Sequence, residues 1–98
     1  DRIASVRPPF DFSLLRMITA ADLHPEGTRL ALRTYGAVLE YRTSSPDSLS
    51  SALATAPRII PTPGLPQAEA VCYRRDGRDI LTTTEGATPP IFIIRRQP

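Results

Sequence analysis

The chain has 98 residues and a net charge of +2, with twelve arginines, no lysine and no asparagine against ten acidic side chains. This length fits one small domain with a modest core, and so slight a positive charge gives no argument for a nucleic-acid partner. A single cysteine, Cys72, excludes an internal disulfide, and no stretch approaches the roughly 18 apolar residues of a membrane span. The lack of lysine and asparagine is typical of a GC-rich genome.

The first half of the chain has the pattern of short β-strands separated by turns. Strands are predicted at residues 2–6, 18–23, 29–35, 37–42 and 58–60, because these runs are apolar or alternating and are bounded by turn residues. The sequence HPEG, residues 24–27, places proline and glycine where a tight turn needs them. Within 29–35, Leu30 and Leu32 alternate with Ala31 and Arg33, so this strand presents two distinct faces.

One short helix is predicted between the strands at 37–42 and 58–60. Ser45 suits the N-cap and Pro46 the first helical position, and Pro57 is expected to end the helix. Leu49 and Leu53 fall on one face. A helix of roughly nine residues is marginal alone, so this face is expected to pack on the sheet.

The second half of the chain repeats the first at an offset of about fifty residues. Gly27 falls on Gly77 and Leu30 on Ile80, and strands are predicted at 68–73, 79–84 and 91–96. A period of about 50 residues combined with strands favours propeller blades over helical repeats. The prediction is an all-β fold with two four-stranded antiparallel blades, at 18–61 and at 68–96 completed by strand 2–6.

Two such blades fall short of a closed ring, which needs about 4–8. Their open faces predict self-assembly, a partner chain, or a place within a longer protein.

The stretches HPEGTRLALRTY and RRDGRDILTTTEG resemble the PD40-type, WD40-like propeller repeat. Together with the EAV and TTTEG segments, the region 18–94 is similar to bacterial phytase-like and strictosidine-synthase-like propeller proteins. Their location is mostly extracytoplasmic, periplasmic or secreted, and the resemblance implies the same here. Four positions depart from the pattern: Glu26 replaces the turn aspartate, His24 and Arg74 replace the serine before the turn, and Ala68 replaces a glycine. The departures favour a divergent member of the group or a blade pair that has drifted from catalysis.

Two glutamates are the acids that this resemblance brings forward. In metal-dependent propeller hydrolases, a glutamate near a strand start points into the central channel, which implies Glu69 as a possible calcium ligand. Calcium typically takes six to eight oxygen ligands, more than one blade pair supplies, so Glu69 also fits a polar residue at the channel end. Glu85, before a glycine, fits a solvated turn acid better than a ligand.

The remaining candidate residues are interpreted as structural. His24 is expected to be a turn residue, not a catalyst, because it lacks an evident base partner. Asp22 is expected to accept hydrogen bonds from its own turn, and Asp76 to do the same in the second repeat. Arg33 is expected to pair with an acid of the neighbouring blade, and Cys72 to be a small buried side chain.

The leading functional hypothesis is a non-catalytic propeller module for binding or scaffolding. It would assemble with itself or with other chains through its open blade faces, with no cofactor and no catalytic residues. No nucleophile elbow, phosphate loop or zinc spacing occurs in the sequence. The alternative is part of a calcium-dependent propeller hydrolase of the phytase-like or lactonase-like kind, with Glu69 as one ligand.

Overall fold

The computed structural model describes residues 17–44, 48–62, 68–84 and 91–96, which form two antiparallel sheets and one short helix. In chain order the elements are β1 (Ala20–Leu23), β2 (Arg29–Arg33), β3 (Ala37–Arg42), α1 (Leu49–Leu53), β4 (Arg58–Pro61), β5 (Ala68–Tyr73), β6 (Ile80–Thr84) and β7 (Ile91–Ile94). The first sheet has the order β1-β2-β3-β4, and the second sheet β5-β6-β7. The predicted β-rich fold with one short helix is confirmed, and neither sheet closes on itself within the described residues.

Most strands lie where the sequence predicts them, with shorter ends. β3 and β5 match the predicted bounds, whereas β2 ends at Arg33 instead of residue 35. Thr34 causes this early end: its hydroxyl accepts from the backbone N–H groups of Gly36 and Ala37, and its own N–H donates to the Ala37 carbonyl at 3.0 Å. This local turn replaces the sheet ladder. The predicted leading strand at 2–6 lies outside the described residues.

The two repeats form the same turn. The N–H of Gly27 donates to the carbonyl of His24 at 2.7 Å, and that of Gly77 donates to the carbonyl of Arg74 at 2.8 Å. Both glycines have a positive φ, 72° and 75°, which side chains with a Cβ rarely adopt. The fifty-residue repeat is therefore present in the backbone as well as in the sequence.

The helix α1 is a single turn that stops before the predicted position. It ends at Leu53 and not at Pro57, because the Thr55 backbone N–H bonds to the Ala52 carbonyl at 3.0 Å and the Thr55 hydroxyl bonds to the same oxygen at 2.6 Å. These bonds span three residues and tighten the chain out of the α-helix. The predicted N-cap Ser45 lies outside the described residues. No described helix has the length and hydropathy to cross a membrane.

The first sheet is packed on both of its faces. One face meets the second sheet in a cluster of Ala31, Val38, Val71, Tyr73 and Ile80, with Ala20, Ile60 and Ile94 at its margin. The other face carries Leu30, Leu32, Leu39 and Tyr41, against which Leu49 and Leu53 of α1 pack. The alternation predicted for β2 is confirmed, since its even and odd residues belong to different clusters.

Candidate functional site

Tyr73 is the residue that joins the two sheets. Its backbone N–H donates to Oδ2 of Asp22 in β1 at 2.7 Å, and its hydroxyl donates to Oε2 of Glu40 in β3 at 2.9 Å. Its ring meets the ring of His24 edge to face, with centroids 5.1 Å apart. One residue of β5 thus contacts β1 through its backbone and β3 and the first turn through its side chain. The expectation that Asp22 bonds within its own turn is wrong, because its partner lies in the second sheet.

His24 is buried between the two repeated turns. Its Nδ1 accepts from the Glu26 N–H at 3.1 Å, so its Nε2 carries the proton and donates to the Gly77 carbonyl at 2.9 Å. A Cβ at position 77 would lie 2.3 Å from that Nε2, so only glycine leaves room for the imidazole. With both ring nitrogens engaged, His24 has a structural role between the turns, and its partner in the second turn could not be predicted.

Glu40 is a buried acid that the sequence interpretation missed. Burial raises the pKa of this carboxyl, but hydrogen bonds from Arg96, at 2.7 Å, and from Tyr73 outweigh burial, so the pKa of Glu40 lies below its usual range. Burial, followed by the bond to Glu40, raises the pKa of Tyr73 far above its usual range. Glu40 is therefore ionised and Tyr73 neutral near pH 7, which makes them a structural pair. The signal in the sequence was a single acid inside the apolar run AVLEYR.

The predicted calcium ligand Glu69 stays a prediction, because its side chain is not described. Glu69 belongs to β5, but its side chain lies outside the described part, as does Glu85. Among the described residues, no three His, Cys, Asp or Glu side chains approach closely enough to hold a metal ion. Asp76 performs its predicted turn role, since its Oδ1 accepts from the Arg78 N–H at 3.0 Å.

Arg33 is fully buried, and no described residue is the acidic partner predicted for it. Its Nη1 donates to the Thr62 hydroxyl at 2.6 Å, whereas Nε and Nη2 have no hydrogen-bond partner among the described residues. Burial lowers the pKa of this guanidinium, because a charged group loses its hydration there. The prediction of an ion pair is wrong because the face around Arg33 is apolar, with Ala31 and Val38 as its neighbours on β2 and β3.

The second sheet leaves one face uncovered, and this is the candidate functional site. The open face consists of Ala70 and Cys72 from β5, Leu81 and Thr83 from β6, and Ile91 and Ile93 from β7. A groove of about 250 Å³ runs along it, with an almost wholly apolar lining. Ile91 is 71 % exposed and Ile93 44 % exposed. Cys72 is exposed as well, so its predicted burial is wrong: nothing in the described chain covers this side of β5.

The open face corresponds, position by position, to the face of the first sheet that the second sheet covers. Pairing partners establish the match: Asp22 pairs with Ala31, as Cys72 pairs with Leu81. The β2–β3 pairs on this face likewise match the β6–β7 pairs. Residues 20, 22, 31, 33, 38 and 40 therefore correspond to 70, 72, 81, 83, 91 and 93. Corresponding faces of the first and second sheets therefore point the same way. A third sheet stacked in the same manner would lie on the open face.

The opposite end of the stack carries a matching exposed strip. Ala21 and Leu23 of β1 correspond to Val71 and Tyr73 of β5, the residues that pack against the first sheet. Unlike those two, Ala21 is exposed and Leu23 is 36 % exposed. Ala21 and Leu23, which we call the β1 strip, thus have the position of a contact surface, and no other described sheet lies against them.

No protein-family model matches the chain, and neither a curated protein nor a solved structure matches it.

Proposed function

We propose that the chain is a non-catalytic assembly module of the β-propeller type. Copies stack head to tail, with the open face of one copy against the β1 strip of the next. The polar groups described between the sheets support a structural module, because His24 uses both nitrogens and Glu40 is held by two donors. A binding module needs a surface and no reacting group.

One correspondence carries the proposal: the contact between the two sheets provides the pattern for the contact between two copies. In the chain, β5 packs on β1 and β2 through Val71 and Tyr73. If a second copy packs on the second sheet as the second sheet packs on the first, its β1 strip lies against Cys72 and Leu81. On the first sheet, Leu30 and Tyr41, which correspond to Ile80 and Ile94, lie under α1, so the β1 strip is the part of that face left for the contact. The occupant of the open face is then the β1 strip of a second copy.

The size of the open face predicts how such copies associate. Three strands about 4.8 Å apart and five residues of about 3.3 Å give a face of roughly 240 Å². A stable protein interface buries about 800 Å² on each partner, so one such contact is weak. A head-to-tail contact becomes stable when a ring closes, because each copy then makes two contacts. Rings of about 4–8 blades require roughly two to four copies.

Light scattering of the purified chain across a concentration series tests the proposal. We expect one closed multiple of the 10.7 kDa chain in equilibrium with monomer, with little of any intermediate size. Leu23→Arg and Ile91→Arg should each abolish the multiple, because a buried unpaired charge at either half of the contact is costly.

Ile59→Arg is the matched control. Ile59 is 46 % exposed, as Ile93 is 44 % exposed, but it lies on β4, outside both halves of the contact. This variant should keep the mass of the unmodified chain. A folded monomer at all concentrations, or an equal loss of assembly in Ile59→Arg, would refute the proposal.

A further inference from the structure

A cluster of arginines surrounds Glu40 at the outer margin of the space between the sheets. Arg29 and Arg42 are direct cross-strand neighbours, and Arg58 is the cross-strand neighbour of Glu40. Arg96 reaches the same carboxylate from the segment after β7. Three arginines thus lie at strand positions next to Glu40 and a fourth bonds to its carboxylate, in a chain whose total net charge is only +2.

The charges of this cluster are not balanced within the described residues. Glu40 holds Arg96 at 2.7 Å, which leaves Arg29, Arg42 and Arg58 without a described ion pair. Like charges placed directly opposite each other on neighbouring strands, as Arg29 and Arg42 are, destabilise a sheet. An anion bound beside Arg42 would weaken this repulsion.

Two adjoining cavities give an anion room among these side chains. The larger, of about 240 Å³, is lined by Glu40, Arg42, Thr55, Ala56 and Arg58. The smaller, of about 140 Å³, also has Arg58 in its lining, together with Arg95, Arg96 and the isoleucines Ile60, Ile80 and Ile94. Arg42 and Arg58 are exposed, so a ligand reaches them from solvent.

We propose that the cavity between Arg42 and Arg58 binds a tetrahedral oxyanion, a phosphate or sulfate group, either free or as part of a larger molecule. The planar fork of each guanidinium presents paired N–H donors that match two oxygens of such a group. Glu40 lines the same cavity and is ionised, but its charge is paired with Arg96 at 2.7 Å. The site is separate from the open face and the β1 strip.

Thermal unfolding followed by circular dichroism, with low-millimolar inorganic phosphate or sulfate against chloride at equal ionic strength, tests the site. We expect both tetrahedral anions to raise the midpoint and chloride to leave it unchanged. Low-millimolar salt avoids the general stabilisation that these anions cause at high concentration. Glycerol phosphate in a parallel titration distinguishes the sources: tighter binding than inorganic phosphate indicates a phosphate ester, and weaker binding indicates the free anion.

Single arginine substitutions place the binding in this cavity. Arg42→Gln and Arg58→Gln should each weaken phosphate binding about tenfold, the effect of losing a charge-assisted hydrogen bond. Arg75→Gln is the matched control, because Arg75 is also exposed but lies in the turn between β5 and β6. Equal midpoints in phosphate and chloride, or an equal loss in Arg75→Gln, would overturn the proposal. These results are independent of the assembly mass.

Discussion

Replacing Tyr73 by phenylalanine removes one oxygen from the junction between the sheets. The ring remains against His24, and the backbone N–H still bonds to Asp22. What disappears is the 2.9 Å hydrogen bond to the ionised, buried Glu40. Hydrogen bonds to charged groups contribute about 1.5–3 kcal/mol, and Arg96 still holds the same carboxylate oxygen. We expect Tyr73→Phe to lower the free energy of unfolding by about 2 kcal/mol at pH 7.

The loss should depend on pH in a direction that the pKa of Glu40 fixes. This pKa is lower in the folded chain than its ordinary value of 4.5, so ionised Glu40 stabilises the fold above that pH. The contribution disappears as the pH falls through the folded pKa. Tyr73→Phe removes one of the donors that lower this pKa, so the difference between the two proteins should be full at pH 7 and should shrink below about pH 4.5.

Urea unfolding followed by far-ultraviolet circular dichroism measures both effects. For a chain of this size, about 2 kcal/mol corresponds to a fall of roughly 8–16 °C in the melting temperature. Tyr35→Phe is the control, because Tyr35 is a partly buried tyrosine that lies outside the junction. A loss below about 0.5 kcal/mol, or a loss that stays constant from neutral to acidic pH, would refute the assignment of Tyr73 as a donor to ionised Glu40.

Three further substitutions or additions test the packing and the alternative function. Gly77→Ala should destabilise more than Gly27→Ala in urea unfolding, because the two glycines share their φ but a methyl at 77 would lie 2.3 Å from Nε2 of His24. Arg33→Met should raise the free energy of unfolding by about 1–3 kcal/mol, because it removes a buried charge with two unpaired nitrogens; a loss of stability would mean that this charge has a partner. Millimolar calcium should leave the melting temperature unchanged; an increase that disappears in Glu69→Gln would favour the calcium-dependent hydrolase instead.

The elements that the sequence predicted well are those fixed by neighbouring residues. The bounds of β3 and β5 and the paired turns at Gly27 and Gly77 follow from alternation and turn chemistry within a few positions. The end of β2 was missed because a threonine hydroxyl competes with the ladder, and Thr34 has no strong local signature. Local patterns describe the strands better than they describe their ends.

Contacts between the repeats could not be predicted, because they join residues about fifty positions apart. The bond from Tyr73 to Asp22 and that from His24 to Gly77 depend on how two sheets stack. The wrong prediction that Cys72 is buried has the same cause. The alternation along β5 indicates which face of the sheet Cys72 occupies, but its burial depends on whether another sheet covers that face.

Oxidative cross-linking tests the head-to-tail arrangement most directly, because the chain has one cysteine and it lies on the open face. Within one chain, the Asp22 carboxylate contacts the backbone of Tyr73. Position 22 corresponds to Cys72 in the second sheet, and position 73 corresponds to Leu23 in the first. Cys72 of one copy should therefore lie beside Leu23 of the next, and a cysteine at position 23 should form a disulfide with it.

The measurement mixes the unmodified chain with the Leu23→Cys/Cys72→Ser double variant and follows disulfide-linked dimers on a non-reducing gel. The Ile59→Cys/Cys72→Ser double variant is the control, with a similarly exposed position off the contact. We predict a mixed dimer that forms much faster with the first variant than with the control. Equal rates, or dimers linked mainly through Cys72 of two unmodified chains, would contradict head-to-tail assembly.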